Sequence, residues 1–292
     1  MTNKHICARK PSSSRILINS TSKHENQARS LKMINDTIFN KININNIIKP
    51  LAEYSTSLTG VLDDFWEDHI LSAEAYSILL NNIDIGFFTV YNNDKITSFY
   101  VEKEFFDITQ RIFRQILDEF KVKTAFVATC DELFLSLCLD NHKNVKMQAY
   151  FFKLSSKKVR EPEWDRSLLN LAKLEDINDI LDKEGVAENI KAGKYYVMRK
   201  NGIFVGQGFY SRNEINPEMV SIGMSVHPDY RQKGVGRSII IHLKDICLEQ
   251  GLIPNCGCWY YNHNSKKTLG SAGFVTKTRL LNIQFEESKY EQ

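Results

Sequence analysis

The feature that most constrains this chain is a pair of glycines, Gly234 and Gly236, between two apolar segments. Residues 219–226 have the composition of a buried strand, and apolar residues between positions 239 and 247 recur on one face of a helix. A glycine loop between a strand and a helix turns several backbone N–H groups toward one point, beside the positive end of the helix dipole. The pattern predicts a phosphate-binding loop, with a tight strand-to-helix turn as the simpler alternative.

Two common phosphate-binding loops do not fit this segment. The Walker A loop requires a longer spacing between its glycines and a Lys-Ser or Lys-Thr end, and the dinucleotide fingerprint requires a third glycine and a downstream acidic residue. Neither pattern is present around Gly234. Both kinds of nucleotide site are therefore excluded for this loop.

The length and composition indicate a globular protein. At 292 residues the chain is long enough for two domains of ordinary size. Its 42% apolar and 25% charged residues are typical of soluble proteins, and no apolar run approaches the length of a membrane span. The first residues lack the apolar core of a secretory signal, and the six cysteines form no paired framework. We therefore expect reduced thiols, a cytoplasmic location and no membrane partner.

Metal ions and nucleic acids are not expected partners. Cys256 and Cys258 are one residue apart, but a zinc site needs further ligands, and alternation along a strand places both sulfurs on one face as small apolar groups. Residues 1–50 carry nine Lys or Arg residues against two acidic residues. These charges are scattered among Asn and Ser without aromatic residues, which favours a solvated, partly disordered head over a nucleic-acid or membrane surface.

Composition divides the chain into four parts. A polar basic head covers residues 1–28, an N-terminal domain covers 29–155, and a C-terminal domain covers 164–292. The linker between the domains, 156–163, is polar and contains Pro162. Strand and helix patterns alternate in both domains, so we predict an α/β (α+β) fold with a mixed sheet flanked by helices.

The two domains share a weak internal repeat. FYVEKEF at 99–105 resembles MSVHPDY at 224–230, and in each case a helix, a strand, a short helix and a strand are predicted to follow. The first copy has FDIT at 106–109 where the second has its glycine loop, so only the second is predicted to hold phosphate. Chance similarity between two α/β units is the alternative. Near the N-terminus, apolar spacing predicts helices within 31–51 and across 65–80.

The glycine loop and a later segment together resemble a known family. VHPDYRQKGVG at 226–236 resembles motif A of the GNAT N-acetyltransferases, Gln/Arg-x-x-Gly-x-Gly/Ala. NHNS at 262–265 and AGF at 272–274 resemble the second motif, Asn-x-x-Ala/Ser followed by a short helix and Gly-Phe. The resemblance covers residues 168–285, and the first domain resembles the degenerate N-terminal half of some two-domain members. It implies a GNAT fold with a mixed, mostly antiparallel sheet and a GNAT-like pseudo-repeat.

The resemblance also implies a donor and the residues that bind it. Members transfer an acetyl group from acetyl-coenzyme A, here a co-substrate with no metal, to an amine. Loop N–H groups would hold the pyrophosphate, and an N–H at Val226 or a neighbour would polarise the thioester carbonyl as an oxyanion hole does. The coenzyme-binding residues implied are Met224, Ser225, Val226, Arg231, Gln232, Lys233, Gly234, Val235, Gly236, Arg237, Ser238, Asn262 and Ser265.

The proton carriers are less well defined by the resemblance. Leu269 occupies the position where many relatives carry a tyrosine general acid. Either Tyr261 or Tyr260 would then protonate the leaving thiolate, or N–H dipoles and water would stabilise it. Glu218 lies close to where some relatives carry a catalytic glutamate, with a solvated carboxylate as the alternative. The predicted catalytic residues are Glu218 and Tyr261.

The acceptor expected from the resemblance is the amine of a small molecule, such as an amino acid, a polyamine or an amine-bearing antibiotic. Two alternatives remain open at this point. The acceptor could be a protein amine, or the chain could be a module that senses acyl-coenzyme A without turnover. We expect a monomer or a homodimer.

Overall fold

A single twelve-stranded sheet runs through both halves of the chain in the computed structural model, which describes residues 37–181 and 185–286. The strands are β1 (Thr37–Ile42), β2 (Glu74–Leu80), β3 (Ile83–Tyr91), β4 (Lys95–Val101), β5 (Thr124–Ala128), β6 (His142–Leu154), β7 (Leu169–Leu171), β8 (Tyr195–Lys200), β9 (Ile203–Arg212), β10 (Met219–Val226), β11 (Ile253–Trp259) and β12 (Phe274–Phe285).

Seven α-helices flank this sheet within the described residues. They are α1 (Ile48–Ser57), α2 (Asp64–Leu71), α3 (Thr109–Glu119), α4 (Glu132–Asp140), α5 (Val186–Lys191), α6 (Val235–Glu249) and α7 (His263–Ser271). In the described part of the chain, none of them combines the length and the apolar character needed to cross a membrane.

The helices cover both faces of the sheet because successive strand residues point to opposite faces. Phe88 packs in a core with α3 and α4, whereas its neighbour Phe87 packs in a core with α1 and α2. In the same way Tyr150 packs with α6, and its neighbour Phe151 packs with α1 and α2. Helices α3, α4, α6 and α7 therefore share one face, and α1 and α2 lie on the other.

The strand order is β1-β2-β3-β4-β5-β12-β6-β11-β10-β9-β8-β7. Neighbouring strands are antiparallel except for two parallel pairs, β4 with β5 and β10 with β11. Each parallel pair is joined through a helix, α3 in the first half and α6 in the second, as a parallel connection requires. The predicted mixed, mostly antiparallel sheet flanked by helices is confirmed.

The final strand of each half pairs with the other half. β12 lies between β5 and β6, and β6 pairs with β11. The order β4-α3-β5-α4-β6 in the first half matches β10-α6-β11-α7-β12 in the second, which confirms the internal repeat. The last strands of the two halves, β6 and β12, are thus exchanged between the halves. As a result, Leu280 of β12 packs in the same core as Trp66 of α2. The two halves thus share one sheet, and three of its cores contain residues from both halves.

Two local predictions near the N-terminus are wrong in part. Residues 37–42 form β1, paired with β2, where the apolar spacing predicts a helix. Residues 65–80 begin in α2 but continue as β2 from Glu74. In both places, pairing within the sheet outweighs an apolar spacing that fits a helix. The head at 1–28 lies outside the described residues.

Candidate functional site

The parallel strands β10 and β11 run together only at their beginning. The first three residues of β10 pair with the first three of β11. Beyond that point, β10 pairs with β9 as far as Val226, and β11 pairs with β6 as far as Trp259. The edge of β10 from Ile222 to Val226 therefore faces β11 without pairing to it. We call this separation between the two strands the opening.

The loop after β10 begins with a 3₁₀ turn at Pro228–Tyr230 and enters α6 at Gly234. Gln232 and Gly234 have φ values of 60° and 80°, and glycine tolerates such a conformation without strain. The N–H of Ser238 donates to the carbonyl of Gly234, so the preceding N–H groups at the helix start lack helical acceptors. These groups form the positive end of α6.

The second glycine of the motif allows α6 to approach β10. A Cβ atom on Gly236 would lie 3.1 Å from Met224 Sδ and 3.1 Å from Val226 Cγ2. Such contacts are tighter than side chains normally make, so a larger residue would push the helix away from the strand. Gly236 therefore keeps the start of α6 beside the opening.

The opening and the loop border a groove of about 710 Å³, a volume typical of small-molecule sites. Lys233 and Ser238 do not line it, although the sequence implies a coenzyme contact for both. Five lining residues were not singled out from the sequence: Leu181, Tyr230, Asn264, Lys267 and Thr268. The implied coenzyme-binding residues that do line it are Met224, Ser225, Val226, Arg231, Gln232, Gly234, Val235, Gly236, Arg237, Asn262 and Ser265.

Asn262 starts the helix on the opposite wall of this groove. Its Oδ1 accepts the N–H of Ser265 at 3.0 Å, an N-cap that fixes the first turn of α7. Lys267 and Thr268 follow on the same wall. With Arg231 on the loop, Lys267 gives the groove two exposed cationic side chains, which favours an anionic ligand.

Arg237 fastens the predicted linker to the start of α6. Its guanidinium, in a residue only 5% exposed, donates to the carbonyls of Arg160 and Glu161 and to the Glu163 carboxylate at 3.0 Å. Burial alone would raise the pKa of the Glu163 carboxyl, but the hydrogen bond from Arg237, together with its charge, lowers this pKa overall. The guanidinium thus holds the linker, and this leaves the backbone of Arg237 for the groove.

Ser238 and His242 bind the next residue of this segment, Trp164. The Ser238 hydroxyl is buried and accepts the Trp164 N–H at 3.1 Å, and His242 Nε2 lies 2.7 Å from the Trp164 carbonyl oxygen. The Trp164 indole donates to the Lys233 carbonyl at 2.8 Å. The side chain of Ser238 therefore holds Trp164, which in turn binds the loop at Lys233. The loop motif does not reveal this role.

The predicted proton carriers lie outside the groove. Glu218 is exposed in the turn before β10, and its carbonyl accepts the N–H of Ile253 at 2.8 Å. Tyr261 is 54% exposed, and its ring lies 5.0 Å from Trp259 and 5.1 Å from Tyr260. Leu269, at the position of the family's tyrosine, is buried in the core beneath α7.

A buried carboxylate from the first half lies close to the opening. Asp63 is 5% exposed and accepts the Trp66 N–H at the start of α2. A Cβ atom on Gly257 would lie 1.8 Å from Asp63 Oδ2, so the carboxylate sits directly against β11, two residues beyond its last pair with β10. Burial, followed by the charge of Asp64, raises the pKa of Asp63 well above its usual range.

The next residue also ties α2 to the second half. The N–H of Asp64 donates to Ser221 Oγ on β10, and that hydroxyl donates to Asn255 Oδ1 on β11, both at 3.0 Å. In the sequence, Asp63 has only the signature of a helix cap, 158 residues before Ser221. Its proximity to the opening follows from tertiary packing and could not be found from a motif.

The two closely spaced cysteines face the core. Cys256 and Cys258 lie opposite Phe152 and Tyr150 of β6, and both carry free thiols. Within residues 37–181 and 185–286, no group of His, Cys, Asp and Glu is arranged to hold a metal ion.

The comparisons with known proteins agree with this geometry. A family model described as "Acetyltransferase (GNAT) domain" matches residues 43–155, and one described as "Acetyltransferase (GNAT) family" matches residues 160–274. No curated protein sequence matches the chain.

Several solved structures share the fold. An acetyltransferase of the GNAT family from Colwellia psychrerythraea has a TM-score of 0.76 at 20% identity, over 85% of this chain and 100% of its own. A GCN5-related N-acetyltransferase from Sphaerobacter thermophilus has a TM-score of 0.56 at 13% identity, over 86% of this chain and 96% of its own. A tandem GNAT protein from the clavulanic acid biosynthesis pathway has a TM-score of 0.55 at 10% identity, over 85% of this chain and 98% of its own.

The two family matches lie side by side and correspond to the two repeats of the sheet. At the identities found, the solved structures support the fold. The chain therefore belongs to the GNAT family of acyltransferases and consists of two tandem GNAT domains.

Proposed function

We propose that the chain transfers the acetyl group of acetyl-coenzyme A to the amine of a small molecule, with the groove of the second half as the coenzyme site. One observation carries the proposal. The groove combines a strand edge without a partner, a helix start with free N–H groups and two exposed cations, and these match the amide, pyrophosphate and charge of the coenzyme.

In this proposal the N–H groups around Gly234 and Val235 hold the pyrophosphate, and Arg231 and Lys267 offset its charge. Polar backbone groups of Ser225 and its neighbours on the free edge of β10 bind the pantetheine amides. An N–H on the same edge stabilises the oxyanion that forms when the acceptor nitrogen attacks the thioester carbonyl. These interactions orient the donor, which is a large part of the rate enhancement in acyl transfer.

The reaction also needs groups that move protons. The attacking amine must lose a proton, and the coenzyme thiolate must gain one or be stabilised. Glu218 as base and Tyr261 as acid remain the predictions from the sequence. The position of Asp63 against β11 adds a third candidate, a base acting directly or through water. A carboxyl with a raised pKa suits this role near neutral pH.

Leu269 motivates a second candidate function, an acyl-coenzyme A sensor without turnover. A leucine gives no proton, so a chain that binds the coenzyme tightly could lack catalysis. For either function we propose a monomer or homodimer in the cytoplasm, where the five described cysteines would remain reduced.

Calorimetry of the full chain with coenzyme A tests the shared premise. We expect saturable binding, and the charge reversals Arg231→Glu with Lys267→Glu should weaken it at least about tenfold. The reversal Lys146→Glu, at an exposed position of β6 in the first half, is the matched control and should leave affinity unchanged. Absence of binding by the unmodified chain would refute both functions.

Release of free thiol from acetyl-coenzyme A then separates the enzyme from the sensor. Amino acids, polyamines, aminoglycosides and a peptide with a free N-terminus would be compared as acceptors. Turnover with a small amine supports the proposal, whereas preferred turnover with the peptide indicates a protein acceptor. Tight coenzyme binding without any turnover indicates the sensor.

A further inference from the structure

A second cavity, which shares no lining residue with the groove, lies between the two halves of the molecule. It measures about 210 Å³, room for roughly seven water molecules. The first half contributes the segment from the end of α1 to α2, including Leu62, Trp66 and Glu67. The second half contributes the turn between β9 and β10, including Asn213, and the first residue of β10, Met219. The cavity therefore exists only where the halves meet.

Two buried acceptor groups line this cavity. Glu67 is 4% exposed, and one of its carboxylate oxygens accepts the N–H of Ile215. Asn213 is 7% exposed, and its Oδ1 has no hydrogen-bond partner among residues 37–181 and 185–286. A buried acceptor without a partner is costly, so a ligand that donates to it would gain affinity. Glu67 and Asn213 thus offer acceptors to a ligand that carries N–H groups.

The residues that line the cavity carry a negative charge. In the part of the chain that the structure describes, they include one carboxylate, Glu67, and no Lys, Arg or His. Burial raises the pKa of Glu67 to about 7, and the charges of Glu214 on the β9–β10 turn and Asp68 on α2 add to this effect. A cation bound beside Glu67 would offset the cost of keeping its carboxylate charged.

The remaining walls are mostly apolar. Leu62, Trp66, Ile215 and Met219 line the cavity beside the two acceptors. Calcium and magnesium ions prefer six or more oxygen ligands or retained water, which an apolar wall does not supply. An organic cation, with N–H donors at one end and a hydrocarbon body, matches both kinds of wall.

We propose that this cavity binds a small organic ammonium ion, whose N–H groups donate to Glu67 and Asn213 and whose hydrocarbon part packs against Trp66 and Met219. The inference does not depend on the proposed acetyl transfer. The ammonium could belong to an acetyl acceptor or to an effector that binds without reacting, and the experiment below distinguishes these sources.

Calorimetry of the full chain with benzylamine, and with benzyl alcohol as its neutral counterpart, tests the site. At pH 8 we expect saturable binding of benzylamine, at least about tenfold tighter than that of the alcohol, because only the amine is charged. Glu67→Gln should weaken benzylamine at least about tenfold and leave the alcohol unchanged. Glu104→Gln, at an exposed carboxylate of the first half, is the matched control.

The unmodified protein supplies an independent measurement if a variant fails to fold. Benzylammonium stays largely charged at both pH 6 and pH 8, whereas Glu67 loses its proton near pH 7. Benzylamine affinity should therefore rise about tenfold from pH 6 to pH 8, with no matching rise for the alcohol. Asn213→Ala should weaken benzylamine without removing this pH dependence.

The proposal is overturned if benzylamine does not bind, if the alcohol binds equally well, or if Glu67→Gln binds the amine unchanged. Mass spectrometry after adding acetyl-coenzyme A identifies the source. N-acetylbenzylamine formed with a KM that Glu67→Gln raises marks an acceptor site, and binding without acetylation marks an effector site. Failure of coenzyme binding would refute the acetyl transfer alone, since the amine titrations need no coenzyme.

Discussion

The two halves of the sheet place very different side chains at corresponding positions. In the first half, Asp131 caps α4 by accepting the N–H of Phe134, and in the second, Asn262 caps α7 by accepting the N–H of Ser265. Phe134 is therefore the counterpart of Ser265. The first is 1% exposed in the core, and the second lines the groove.

A similar contrast between a packed core and an open groove occurs where β4 and α3 of the first half correspond to β10 and α6 of the second. Phe99 of β4, the counterpart of Met224 in the repeat, packs edge-to-face on Phe113 of α3 with ring centroids 5.3 Å apart. Phe113 in turn lies 6.0 Å from Phe134. Three phenyl rings thus fill the first half where the second half is open. The comparison teaches that one topology supports either a packed core or a ligand groove, depending on a few side chains.

Placing a phenyl ring in the second half, at the position that corresponds to Phe134, should have the largest effect on coenzyme A affinity. Ser265→Phe would place a phenyl ring at the first turn of α7, inside the groove, and we expect it to abolish measurable coenzyme A binding. Ser265→Ala, which adds no volume, should retain binding. Calorimetry measures both, and thermal unfolding verifies that both variants fold. Unchanged affinity in Ser265→Phe would contradict the correspondence between the two helices.

Removing one of the three phenyl rings from the first half should lower the stability of the protein and should not create a new coenzyme site. Phe134→Ala should lower the free energy of unfolding by about 3–5 kcal/mol, because it leaves a cavity among buried rings. Leu139→Ala, at a position of α4 that is 41% exposed, should change it by less than about 0.5 kcal/mol. Denaturant titration gives both values. Coenzyme binding by the folded variant should match that of the unmodified chain.

Asp63 tests whether the first half contributes to chemistry in the second. Asp63→Asn keeps a good N-cap but removes the proton acceptor, so the acetyl-transfer rate should fall about a hundredfold while KM for acetyl-coenzyme A stays constant. The rise of the rate with pH should disappear in the variant. An unchanged pH–rate profile would assign Asp63 a structural role only.

The same substitution has a consequence for stability. Since the folded-state pKa of Asp63 is raised, folding disfavours its charged form. The stability that this shift contributes is present below about pH 4 and is lost as pH rises toward the folded-state pKa. Asp63→Asn should abolish this loss, which denaturant titrations at several pH values would detect.

The smallest effects are expected at the two residues predicted from the sequence as catalytic. Glu218→Gln and Tyr261→Phe should each change the rate by less than about threefold, since Glu218 is exposed before β10 and Tyr261 is 54% exposed, whereas Asp63 is buried against β11. Steady-state kinetics beside Asp63→Asn gives the comparison. A larger fall at either residue would support its predicted role over that of Asp63.

Much of the fold and half of the site could be predicted from local patterns. The loop around Gly234, the strand before it and the cap at Asn262 are each encoded within a few residues, because turns, helix ends and strand alternation are local properties. The helices predicted within 31–51 are wrong at 37–42, because an apolar spacing does not specify pairing with β2. The coenzyme contact predicted for Ser238 rests on the motif alone, which does not reveal that its hydroxyl accepts the Trp164 N–H.

The sequence by itself determined the family, the repeat and the loop for which we propose phosphate binding, because these depend on residues close together in the chain. Only the tertiary structure decided that β6 and β12 exchange between the halves, and that this brings Asp63 to Gly257 and Glu67 to Ile215. Such contacts join residues more than a hundred positions apart, and burial in a shared interior, not local pattern, sets their chemistry.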